Sequence, residues 1–265
     1  MSANITERGS FEKEMPTMFT QNLYEESNVA LAPLGAVRTL SDGREFVYCH
    51  VSNAANLAAG ALAQSPVCDV ANLGNLAITA NANIGAKEVS ITLGDTTAAN
   101  TANALAGGIL HINTGAGNGC AYRIESHAAI AANANGNIAL SDKLRANIAA
   151  ATSKASLYPD PYKNVIVHPS PPTGKLVGVA TFPVTKNYYA WLQRKGPCAL
   201  ENEAGSGAAL APGEEAYASP ASDGCITGQV SNANAIVAMT TFKFPVGKVM
   251  ANNANDHWAL VDLNL

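Results

Sequence analysis

Five histidines, a glycine-rich turn, several acidic side chains and two tryptophans are the residues of this chain whose chemistry is worth testing first. His50, His111, His127, His168 and His257 occur without HxH, HxxxH or HExxH spacing, so the ligand pattern of a zinc site is missing. Gly115, Gly117 and Gly119 imitate a phosphate-cradling loop, but that loop needs a helix after it, and here a strand pattern follows. The glycines therefore read as a turn. Ser170, His168 and Asp160 could be written down as a hydrolase triad, yet no GxSxG elbow accompanies them. Asp160, Glu201, Glu203, Glu214 and Glu215 could serve as paired carboxylates of a glycosidase only if separate strands brought them together. They sit in turn-like sequence with no apolar cradle, and a solvated role is the default. Trp191 with Tyr188 and Tyr189, and likewise Trp258, reads either as a sugar-stacking platform or as core and interface packing. His111 and His127 are expected near each other across a hairpin. No catalytic, cofactor-binding or metal-binding residue is assigned.

The elements that must position these residues are read as strands. Glu45–Val51 follows the turn Ser41-Asp42-Gly43, and Glu88–Leu93 alternates polar with apolar residues before Gly94-Asp95. Gly108–Asn113 and Cys120–His127 flank the glycine turn, which makes a β-hairpin. Asn164–Val167 lies between two proline clusters that exclude helix. Further short strands are expected over 213–218 and 225–230, an Asn135-Gly136 turn before the next segment, and a short helix over 141–154 capped by Ser141. Leu176–Phe182 resembles Ile236–Phe242. Each is followed by a Pro-Val pair and then by an aromatic strand, Tyr188–Gln193 in one copy and His257–Leu263 in the other.

These patterns predict an all-β fold: an extended N-terminal arm over 1–42, a β-rich domain over 43–169, and a smaller barrel-like C-terminal domain over 170–265 with an internal hairpin repeat. Within the arm, Phe19, Leu23 and Tyr24 are candidate anchors to a neighbouring subunit, with packing on their own domain as the alternative reading.

Composition narrows the functional classes. Only 14% of the 265 residues are charged and the net charge is -4. The lysines and arginines are scattered, which does not suit a phosphate backbone. Hydrophobic residues reach 48% but aromatics only 6%, so much of the apolar content is alanine and buries little area per residue. Burial against other subunits would add to such a core. The five cysteines are odd in number and contain no CxxC pair, and they read as packed thiols in a reducing compartment. The polar N-terminus reads as no secretory leader, and no stretch approaches a membrane span.

Four blocks carry a family likeness: SDGREFVYCHVSNAANLAAGALAQSP (41–66), VSITLGDTTAANTANALAGGILHINTGAGNGCAYRIESH (89–127), SLYPDPYKNVIVHPS (156–170) and VGVATFPVTKNYYAWLQRKGPCAL (177–200). In order and composition, across most of the chain after Leu23, they resemble capsid-associated structural proteins of tailed phages. The resemblance implies a head decoration, or cement, protein. Such a protein is β-rich, often trimeric, without a cofactor, and clamps neighbouring major capsid proteins on the virion surface after assembly in the host cytoplasm. A tail or fibre component binding a host-surface glycan is the alternative.

Overall fold

The computed structural model describes residues 21–203, 210–228, 244–252 and 257–265. Among them the strands, in chain order, are β1 (Val37–Thr39), β2 (Glu45–Val51), β3 (Leu62–Gln64), β4 (Leu76–Ala77), β5 (Glu88–Thr92), β6 (Ile109–Thr114), β7 (Ala121–His127), β8 (Asn135–Leu140), β9 (Lys154–Tyr158), β10 (Lys163–Val167), β11 (Leu176–Val179), β12 (Tyr189–Glu201), β13 (Glu215–Ala218), β14 (Ile226–Thr227), β15 (Pro245–Ala251) and β16 (Trp258–Asn264). The one helical turn among the described residues is α1 (Val70–Leu73), capped by the Asp69 side chain accepting from the Asn72 amide. The all-β fold expected from sequence is the observed one.

The chain folds as two units, Val67–Asp160 and the two flanking segments taken together. The expected division at 169/170 is therefore displaced. Of the two proline clusters, Tyr158-Pro159-Asp160-Pro161-Tyr162 carries the crossing point. Residues 169–174 lie inside the flanking unit, where the buried Gln64 holds them: its Oε1 accepts from the amides of Thr173 and Gly174 at 3.0 and 3.1 Å. The inserted unit leaves after β3 and returns before β10, and those two strands pair antiparallel, Ile166 opposite Gln64.

In the flanking unit, β2, β10, β3, β11 and β12 close a ring, because β12 pairs β11 and also β2. Closure removes the exposed edges that an open sheet would present. β12 outruns the ring, and its second half carries a meander of β16, β15, β13 and β14. The corner falls at Gly196, whose φ of +81° puts it in the left-handed region that glycine tolerates. There the side-chain amide of the buried Gln193 donates to the carbonyls of Lys195, Gly196 and Pro197 at 2.9–3.3 Å, on the stretch that pairs with the end of β16.

The N-terminal stretch is described from Gln21. It runs over its own barrel, pairs at Ser27 with Tyr189, and ends in β1, which pairs antiparallel with β2. The Tyr48 hydroxyl donates to Gln21 Oε1 at 2.6 Å and accepts from the Leu31 amide at 3.0 Å, while Arg38 donates to the Gln21 carbonyl. These bonds pin the stretch over a cluster of Phe46, Tyr48 and Trp191.

In the inserted unit, six antiparallel strands run in the order β4-β9-β6-β7-β8-β5, and a bridge between Ile78 and Ile91 joins the ends. Alternation places Val89, Ile91, Leu110, Ile112, Tyr122, Ile124, Ile138 and Leu140 in one core. The glycine turn closes the β6–β7 hairpin as expected, with Gly115, Gly117 and Gly119 all at φ near +80°. Two expectations give way. Residues 141–154 form no helix, because the amides of Leu144 and Ile148 donate to Ala86 and Ala82 instead of to the preceding turn. Asn135-Gly136 opens β8 instead of turning; the turn comes earlier, at Asn133 with φ +56°. The side chain of Ile130 sits 2.3 Å from where a Gly136 Cβ would be, which explains the glycine.

In the C-terminal repeat, residues 236–242 lie outside the described residues. The other expected copies are found, but Val184 makes only an isolated bridge to Leu57, whereas Pro245-Val246 begins a seven-residue strand.

Candidate interaction surface

His127, His168 and His50 are occupied by the fold. The Leu105 amide can only donate, so His127 Nε2 accepts from it at 2.9 Å. The ring proton therefore sits on Nδ1, where it meets the Ala128 carbonyl at 2.6 Å. His111 is exposed opposite Ala121, at the other end of the hairpin from His127, so the expected pair does not form. His50 Nδ1 lies 2.9 Å from Asn164 Oδ1, and its ring leans on Tyr189.

The written triad is not assembled. Both ring nitrogens of the buried His168 face carbonyls, Pro169 at 3.0 Å and Cys225 at 2.8 Å. Ser170 turns instead to Asp223, to which its amide and hydroxyl both donate at 2.7 Å. Asp160 belongs to the inserted unit. The other carboxylates are spread out: Glu203 accepts from Ser219, Glu214 from the Ala211 amide, and Glu215 from Tyr217. Among the described residues no three His, Cys, Asp or Glu side chains group as a metal site.

The cysteines are all free. Burial pushes the Cys198 thiol up to about 12. Burial first, and then the nearby charges of Glu201, Glu203 and Asp223, push Cys225 up to about 11. Neither is a thiolate at neutral pH.

The first aromatic platform is core. Trp191 is fully buried, its ring 5.0 Å from Tyr48 and under the Arg38 guanidinium at 5.2 Å; Tyr189 stacks on Tyr48. Of the expected arm anchors, Leu23 is 6% exposed within this same cluster. Tyr24 is 49% exposed, and its hydroxyl accepts from Arg44 at 3.0 Å. Phe19 lies outside the described residues. Leu23 thus packs on its own unit.

Trp258 behaves differently. It is 46% exposed, and on the same side of the sheet Leu260 is 38% and Met250 47% exposed. β16 alternates: Ala259, Val261 and Leu263 enter the core, while Trp258, Leu260, Asp262 and Asn264 face out. In register, Ala199 and Ala251 flank Leu260, Glu201 lies opposite Trp258, and Pro197 and Lys248 flank Asp262. Lys248 in turn lies opposite Glu215. The outer face is therefore apolar at one end and carries mixed charge at the other. A shallow cleft of about 650 Å³ borders the charged end, lined by Lys195, Lys248 and Asp262 among others. The indole is held in place by Gly60: a Cβ there would lie 2.0 Å from the Trp258 ring, and the Gly60 carbonyl accepts from the Glu201 amide.

The sequence carried a signal for this face that the strand assignment alone did not use. Trp258-Ala259-Leu260-Val261 is apolar on both sides of a strand, and only one side can enter the core.

No family model, curated protein or solved structure matches this chain.

Proposed function

We propose that this chain is a structural component of a virus particle, a head decoration protein of a tailed phage that stabilises the shell by bridging neighbouring major capsid proteins. The observation that carries the reading is the outward apolar end of the β12–β16–β15 face. The core of that unit lies on the other side of the sheet, so the half-exposed Met250, Trp258 and Leu260 stand outside it and are available for association. The sparse charge and the four blocks of resemblance point the same way. In this reading the protein works mechanically, without a cofactor, nucleic acid or membrane. It multiplies modest contacts by presenting several of them on one oligomer, a trimer being favoured.

Quantitative mass spectrometry of purified, salt-washed particles tests this. The expected result is a copy number close to that of the major capsid protein, and absence from washed particles would overturn the reading. The role of the arm is tested by deleting residues 1–20, which spares the stretch pinned to the barrel. Particles that keep the truncated protein with undiminished heat resistance would remove Phe19 and its neighbours from attachment.

One observation favours the alternative of a glycan-binding tail component: the half-exposed Trp258 ring, fixed over Gly60, with the Glu201 carboxylate across the strand. Saccharide-dependent quenching of Trp258 fluorescence would support it.

A further inference from the structure

We infer that the outer face of β12, β16, β15 and β13 is a self-complementary surface that takes a second copy of this chain, related by a twofold axis running along the strands between β16 and β15. The inference deepens the assembly reading by naming the partner of one surface.

The register supplies the argument. β16 and β15 are neighbours, and at matching heights they carry complementary side chains. Asp262 lies opposite Lys248, and Leu260 lies opposite Ala251, beside the bulge that holds Met250. An axis along the strands between them lays β16 of one copy over β15 of the other at unchanged height. Asp262 then meets Lys248 of the second copy, and Lys248 meets its Asp262. Leu260 likewise meets Met250 and Ala251. The apolar end meets an apolar end, and the charged row meets a charged row of opposite order. Sheets stack in this aligned manner at about 10 Å with side chains interdigitating.

The shape of the apolar end favours a protein surface over a small ligand. Small-molecule sites are concave with a few convergent polar groups. Here the row of Ala199, Leu260 and Ala251 offers no polar side chain. The face carries both signs of charge, so a like copy is not repelled.

Area sets the strength. Seven-residue stretches of β12, β16 and β15 and the four-residue β13, at about 4.8 Å spacing and about 3.3 Å rise, give a planar footprint of roughly 400 Å². A standard interface uses about 800 Å² per partner. The contact is therefore weak alone and gains its weight inside a larger assembly.

The test is sedimentation equilibrium of the full chain from about 10 µM to about 500 µM, a range that brackets such weak affinities. The weight-average mass should rise toward that of a dimer or higher species. Leu260→Ser with Met250→Ser should lower the association constant by at least about tenfold, with the monomer still folded and its thermal melt lowered by only a few degrees because both side chains are partly exposed. A second pair of variants isolates the register. Lys248→Glu alone and Asp262→Lys alone should each weaken self-association about three- to tenfold. An equimolar mixture of the two should recover it. In the mixed pair the carboxylate introduced on one copy faces the ammonium introduced on the other, and the unchanged Asp262 of the first faces the unchanged Lys248 of the second. A chain that stays monomeric throughout, serine variants that associate like the parent, or a mixture that fails to recover would each overturn the inference. The outcome is separable from that of the assembly reading: a monomer found in washed particles sinks this inference alone, and a self-associating chain absent from particles sinks the other.

Discussion

Asparagine is the residue that most distinguishes this chain, and its use follows from the shortage of regular structure between strands. Asn75, Asn103, Asn133, Asn164 and Asn187 all adopt positive φ, which asparagine tolerates better than other residues with a Cβ. Others lend a side-chain oxygen to a loop amide, Asn147 to Ile84 at 2.7 Å and Asn81 to Ala150 at 2.8 Å, and Asn103 accepts in the same way from the His127 amide at the end of β7 at 3.0 Å. Each satisfies a backbone donor that neither helix nor ladder would satisfy. The thiols obey the same logic of burial. Cys198 at about 12 and Cys225 at about 11 are protonated at neutral pH and enclosed. Brief iodoacetamide treatment of the folded protein near pH 7.5 should leave both unmodified, and denaturation should release all five; peptide mass spectrometry reads the result.

Among elements, the N-terminal stretch and the long strand β12 are where local sequence and tertiary role part company. The stretch over 21–36 has little strand pattern of its own and is fixed by Tyr48. Tyr48→Phe would leave Gln21 Oε1 and the Leu31 amide without that partner, and should cost about 1–3 kcal/mol in urea unfolding. A cost below about 0.5 kcal/mol would mean that the stretch is held some other way. The link between β2 and β12 has an acid limit. Arg194, by direct hydrogen bonding at 3.0 Å, and then Lys195 hold the Glu45 carboxyl below the usual glutamate range. A depressed carboxylate contributes stability that is present above its unfolded value of about 4.3 and lost as pH falls through the lower folded value. Glu45→Gln should therefore lower stability modestly at pH 7 and flatten its loss below about pH 4, where the variant and the parent converge. Denaturation midpoints measured across that range check the sign.

At the scale of the whole chain, the inserted unit Val67–Asp160 has its own closed ring of strands and its own core. Expressed by itself, it should fold with a single cooperative thermal transition and dispersed amide resonances. The paired strands β3 and β10 that flank it place the two exit points close together, which is the arrangement that tolerates insertion. A chain with 67–160 replaced by a short turn should keep the flanking barrel. Collapse of both products would show that the units are not independent.

Period-two alternation made β5, β6 and β7 legible from sequence, because a half-buried strand must send alternate side chains to the core, while the turn at Ser41-Asp42-Gly43 marked β2. The glycine turn was legible too, because a strand pattern and not a helix follows Gly115, Gly117 and Gly119, and the structure puts all three at positive φ. The helix expected over 141–154 was lost to long-range pairing: its amides found partners some sixty residues away, which local propensity cannot register. The place of the domain crossing was hidden because two proline clusters look alike until strand pairing chooses between them. The outer face of β16 shows the division most plainly. Its two-sided apolar pattern was written in the sequence, but which side enters the core, and which neighbours β12 and β15 place beside it, was decided only by the register of strands drawn from distant parts of the chain.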